Sequence, residues 1–155
     1  MRIEIVAVGR LKSGGPERDL IDRYLGRARS GGKALGLTGF KIAEIPDGRS
    51  ADAEADALVA RIPAGGRCVL LDETGRACSS EAFAGTLGSW RDDGIPAAAF
   101  LIGGPDGHGK AARARADLTL SFGAMTWPHQ FVRAMLAEQL YRAVTILSGH
   151  PYHRS

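Results

Sequence analysis

The amino-acid sequence predicts one α/β domain over residues 1–155, a mainly parallel sheet with helices on both faces. Strand-like and helix-like segments alternate from end to end, the pattern of parallel strands joined by crossover helices. The run Arg67–Asp72 (RCVLLD) is continuously apolar from Cys68 to Leu71, as a strand buried on both faces must be. The 155 residues, 45% of them hydrophobic, suffice for one ordinary core.

The elements follow in order. Arg2–Gly9 (RIEIVAVG) alternates and is β-branched, so it reads as a strand. A helix is expected from Pro16 to about Ala28, with Leu20, Ile21, Tyr24 and Leu25 on one face. Gly39–Ile45 is the second strand. Ser50 caps a helix to Ile62 whose first turn holds acids, which suits the helix dipole. After the third strand, Arg67–Asp72, a helix from Ser80 to Asp92 turns Phe83, Leu87 and Trp90 inward. Ala97–Ile102 is the fourth strand, Lys110–Ala116 a short helix and Leu118–Phe122 the fifth strand. The last helix starts at Pro128, a favoured first position, and runs to Ser148. On it Val132, Leu136, Leu140, Ala143 and Leu147 can face the core.

Charge and composition narrow the function classes. The net charge is +3, with 20 basic residues of which four are Lys and 16 Arg. This permits an anionic partner without demanding one. Cys68 and Cys78 make no disulfide framework. There is no apolar leader and no run long enough to span a bilayer, so a cytoplasmic location is expected. Four histidines and two cysteines show no paired metal-ligand spacing, and no metal is expected.

In open α/β sheets ligands bind beyond the carboxyl ends of the strands. Three loops fall there: after Asp72, Gly103–Gly109 and Phe122–Trp127. The middle one, GGPDGHGK, mimics a phosphate loop. That motif needs a Ser or Thr after the lysine to hold Mg²⁺, and Ala111 stands there. Pro105 removes an amide from the cradle, and Asp106 adds a negative charge to it. Gly107, Gly109 and Ala112 also fit a dinucleotide fingerprint, which requires an acid after the next strand. SFGAMTW has none, and about forty residues are too few for a second half. What remains is a tight glycine turn that lets backbone approach something flat.

The C-terminal stretch carries the other chemistry. Phe131, Met135, Glu138 and Arg142 form a stripe on the last helix, where Glu138 and Arg142 are one turn apart and can pair. Beyond it lies HPYHRS, a basic, aromatic tail of a kind that stacks on bases and grips phosphate.

Four motifs in order resemble the SPOUT-class methyltransferases, specifically the 23S rRNA pseudouridine N3-methyltransferase family. They are IGGPDG (Ile102–Gly107), SFGAMTWPH (Ser121–His129), VRAMLAEQLYRA (Val132–Ala143) and HPYHR (His150–Arg154). IVAVGRLK and the pair Leu71, Asp72 also fit, so the resemblance covers essentially the whole chain. Gly123 stands where many relatives carry Ser, and His108-Gly109 lies where the family varies.

The resemblance implies a C-terminal trefoil knot and a homodimer. It implies S-adenosyl-L-methionine bound against the three loops, at Leu71, Gly103, Gly104 and the run Phe122, Gly123, Ala124, Met125, Thr126 and Trp127. The implied reaction is methylation of N3 of a pseudouridine in helix 69 of 23S rRNA, on the assembled ribosome. Candidates for acting on the base are His129, Arg142, His153 and Arg154, with Glu138 orienting Arg142. The alternatives are a non-catalytic rRNA-binding or ribosome-assembly factor and a tRNA methyltransferase of the same class.

Overall fold

A computed structural model of the chain describes residues 1–153. Arg154, a candidate above, lies outside the described residues. The strands are β1 (Arg2–Val8), β2 (Thr38–Ile45), β3 (Arg67–Arg76), β4 (Ala97–Ile102) and β5 (Leu118–Leu120). The helices are α1 (Pro16–Gly32), α2 (Ala51–Val59), α3 (Ser80–Asp92), α4 (Lys110–Arg115) and α5 (His129–Ser148), with a 3₁₀ turn at Lys33–Leu35.

The five strands pair in the order β2-β1-β4-β3-β5. Every pairing is parallel. Side chains alternate across each strand, so the two sheet faces make two cores. Ile3, Ile5, Val69, Phe100 and Ile102 pack with α1, α3 and α5. Val6, Val8, Cys68, Leu70 and Leu101 pack with α2 and α4. All of β4 is buried, as the strand between β1 and β3 must be. No helix among the described residues is long and apolar enough to cross a membrane.

Several boundaries differ from the sequence expectation, some for local and some for tertiary reasons. α1 runs on to Gly32, where a Cβ would meet Phe40 at 2.6 Å, and Arg29 donates to the Phe40 carbonyl at 2.9 Å. α2 stops at Val59 because the next residues tighten into i→i+3 bonds, Arg61 N to Leu58 O and Ile62 N to Val59 O, ahead of Pro63. β3 continues past Asp72 through an irregularity and rejoins β5 at Arg76 opposite Leu120. β5 ends at Leu120 because the Ser121 hydroxyl turns the chain, bonding Gly123 N at 3.1 Å and Gly123 O at 2.9 Å. At α5, Pro128 is the cap and His129 the first helical residue.

Candidate functional site

The carboxyl ends of β3, β4 and β5 meet around a cavity of about 430 Å³. That is the size of a small-molecule site. Its walls include Leu71–Thr74, Ile102–His108, Leu120–Gly123 and Met125–Trp127, with Arg113, His129 and Val132. Of the residues the resemblance assigns to a cofactor, Leu71, Gly103, Gly104, Phe122, Gly123, Met125, Thr126 and Trp127 are in this wall. Ala124 is in the same turn but outside it.

The glycine loop closes on itself. Gly107, at φ +77°, donates its N–H to the Gly104 carbonyl at 3.1 Å, a backbone state that suits glycine. A Cβ on Gly103 would stand 2.6 Å from the Gly107 carbonyl. No side chain fits there, so the loop presents main chain to the cavity. The opposite wall is tied down by Thr126, whose hydroxyl donates to Glu73 at 3.0 Å.

The charges at the cavity are mainly negative. Asp72, Glu73 and Asp106 line it, and among the described residues only Asp72 of these has an ion-pair partner, Arg113 at 2.9 Å. Burial raises the Asp72 carboxyl, but two bonds from Thr74, at 2.9 and 2.6 Å, together with Arg113 hold it below its ordinary value. A polyanion such as a nucleotide triphosphate would meet repulsion here.

Two histidines line the wall. His108, which the sequence analysis noted only as a departure, is buried with Nε2 2.8 Å from the Leu71 carbonyl. A carbonyl requires Nε2–H, so in the neutral ring Nδ1 is an acceptor, and it has no partner. Burial pulls the imidazole below its ordinary pKa against the Leu71 and Asp72 contributions. No pattern in the sequence pointed to this role. His129, at the start of α5, is also lowered, by burial and then by Arg133, with Asp47 and Glu54 opposing.

Arg133 is the largest fully buried side chain, at 1% exposure. It donates to the carbonyls of Gly9, at 3.0 Å, and Val8, and pairs with Glu44 at 3.3 Å. It clamps the end of β1 to the start of α5, beside the cavity. A charged residue next to Val132 carried no sign of burial in the sequence.

The remaining candidates gather elsewhere. Arg142 pairs with Glu138 at 2.6 Å and stacks on Tyr152, 5.1 Å from its ring centre. The Tyr152 hydroxyl donates to the same Glu138 oxygen at 3.1 Å. Burial, with Tyr24 and Glu138, pushes the Tyr152 phenol up to about 12. His153 meets Glu81 at 2.7 Å. None of these lines the cavity. At a helical rise of 1.5 Å per residue, Arg142 is about 20 Å along α5 from His129. One chain therefore brings His129 to the cavity and leaves Glu138, Arg142 and His153 apart from it. Met125 and Trp127, in the cavity wall, and Phe131, in the first turn of α5, are 72%, 41% and 48% exposed.

A family model described as "Predicted SPOUT methyltransferase" matches residues 1–153. A relative from Hyphomonas neptunium, named ribosomal RNA large subunit methyltransferase H, is 56% identical over 155 residues and covers all of both chains. One of the same name from Rhodopseudomonas palustris (strain HaA2) is 52% identical over 161 residues, again covering both chains fully. Among solved structures, the SpoU methyltransferase AviRb from Streptomyces viridochromogenes, in complex with AdoMet, has a TM-score of 0.43 at 17% identity. That likeness covers 90% of this chain and 56% of the other.

Proposed function

Because this chain belongs to the SPOUT methyltransferase family, we propose that it transfers a methyl group from S-adenosyl-L-methionine to N3 of a pseudouridine in helix 69 of 23S rRNA, acting on the assembled ribosome. The cavity carries this reading. It is walled by main chain at Gly103 and Gly104 and lined by Asp72, Glu73 and Asp106. Backbone groups there can bond an adenine, and the acids suit a sulfonium cation. The carboxyl-end position is where an α/β sheet binds such ligands.

The residues that would hold the cofactor are Leu71, Gly103, Gly104 and the run Phe122–Trp127. When bound, it supplies an activated methyl group with its own leaving group, so the protein's part is alignment and charge. The target imide must lose its proton. His129 is held below its ordinary pKa by burial, so at neutral pH it is uncharged and able to accept one. A guanidinium beside the base would favour its anion. Arg142, held by Glu138, has that role, and His153 and Arg154 grip the RNA.

These residues act across a homodimer. The separation of Arg142 and His153 from the cavity supports this, as do the exposed Met125 and Trp127 in its wall. The tail of one copy would complete the cavity of the other. The resemblance adds a trefoil knot in the C-terminal half and a cytoplasmic place of work, with the ribosome.

The test is incubation with methyl-labelled S-adenosyl-L-methionine and ribosomes that lack the modification. Label mapped to a pseudouridine in large-subunit rRNA is the expected result. Label in tRNA instead would overturn the substrate. No label anywhere, with a folded dimer present, would favour a binding factor.

A further inference from the structure

The loops after β1 and β2 leave the same sheet edge as the cavity. Val8 pairs with Ile45, so residues 9–15 and 46–50 emerge side by side. They touch, since a Cβ on Gly9 would lie 2.9 Å from Asp47 Oδ1. The second loop also reaches the glycine loop, through Glu54. That carboxylate accepts from Gly48 N at 2.9 Å and lies 3.0 Å from the place of a Cβ on Gly104. The edge is thus continuous from Gly9 to the cavity.

Three cations stand along it: Arg10, Lys12 and Arg49, all exposed. Among the described residues none has a carboxylate within 4.0 Å. The neighbouring acids are already engaged. Glu44 is paired with Arg18 and Arg133, Asp52 accepts from Lys110 N at 2.9 Å, and Asp47 stands near the Arg133 charge. By contrast, Arg67, Arg113 and Arg115, beside β3 and β5, are each in an ion pair.

We propose that Arg10, Lys12 and Arg49 form a ledge that binds the phosphodiester backbone of the RNA whose base enters the adjoining cavity. The proposal rests on the rRNA reading above. The chemistry follows from the contrast in charge. A cavity lined by acids repels phosphate, so the backbone must be gripped beside it. Unpaired arginines suit that task because their planar forks match phosphate oxygens. Each phosphate neutralised releases counterions and makes binding depend on salt.

The test compares two triple variants of the full-length protein. One is Arg10→Ala/Lys12→Ala/Arg49→Ala. The other is Arg2→Ala/Lys33→Ala/Arg61→Ala, which removes three exposed cations from the opposite edge of the sheet. Binding to a synthetic helix 69 stem–loop is titrated from 50 to 200 mM salt. Cofactor binding and melting temperature are measured alongside, as checks on the fold. For the ledge variant the slope of log K against log salt should shrink by about 2 to 3, so affinity should fall about 16- to 64-fold less across that range. Its KM for ribosomes should rise while cofactor binding stays the same. Equal slopes for wild type and ledge variant would overturn the proposal. So would an equal change in the control variant, which would mean diffuse attraction. Should the wild type methylate nothing, yet the slope difference persist, the ledge stands and the methyltransferase reading falls.

Discussion

At the carboxyl ends of β3, β4 and β5 the glycine loop presents main chain to the cavity, whereas the cluster of Glu138 and Arg142 on α5 with Tyr152 beyond its end is made of side chains. Gly103, Gly104 and Gly107 shape the first by leaving atoms out. The second is held by a 2.6 Å ion pair and a stacked ring. A wall of main chain tolerates no added carbon but is indifferent to most neighbouring side chains. A side-chain cluster is the reverse: its backbone accepts change, and its chemistry is lost with one truncation. The proposed division of labour is alignment in the cavity and charge in the cluster.

Substitutions can break that contrast. The largest effect is expected from Gly103→Ala. Its Cβ would stand 2.6 Å from the Gly107 carbonyl and 3.2 Å from His108, so the loop must move. Methyl transfer should slow by at least about 100-fold, the usual scale for a displacement near 1 Å in a positioned site, and calorimetry should show weaker cofactor binding. Next is Arg142→Ala, for which kcat should drop by no more than about 100-fold, the lower end of the loss when one charge-stabilising donor is removed. Its cofactor affinity should stay at the wild-type value, and a parallel loss would merge the two regions into one. His153→Ala is expected to raise KM for ribosomes by about 10-fold, as losing one contact worth about 1.4 kcal/mol would. Its melting temperature should not change, because the His153–Glu81 contact is exposed and such pairs add little.

The smallest effect sharpens the comparison through pH. Burial depresses the folded-state pKa of His108. The unfolded chain therefore binds the proton more readily, so the contribution of His108 is present above about pH 6.5 and is lost as pH falls towards the folded value. Urea midpoints taken at pH 7.5 and 5.5 should fall further in the wild type than in His108→Gln. An identical fall in both would show that the imidazole is not held neutral by the wall.

Much of the architecture was legible because periodicity reports burial directly. CVLL in the third strand and AAAFLI in the fourth are apolar throughout, and both are covered on both faces. Ends were less legible, since they depend on partners distant in sequence. Nothing near Ala28 reveals that Phe40 will extend α1 to Gly32, and nothing near Phe122 reveals that the Ser121 hydroxyl will meet the Glu73 carbonyl at 3.2 Å where β5 ends. At the site, glycine and strand-end position marked the cavity wall. Arg133 and His108 were not visible, because their burial is set by β1 and β3, which lie far from them along the chain. The distance between His129 and Arg142 was legible as helical spacing, but its meaning came only with the position of the cavity.

Arg133 bears on the order in which the molecule is made. Its guanidinium bonds the Gly9 carbonyl, 124 residues earlier. Chains leave the ribosome amino end first, so the first strand waits through most of synthesis for the group that ties down its carboxyl end. A chain halted before residue 133 would have four of its helices and every strand, yet no clamp at the edge where the cavity sits. Completion of the site is thereby coupled to completion of translation, and interrupted products would be inert.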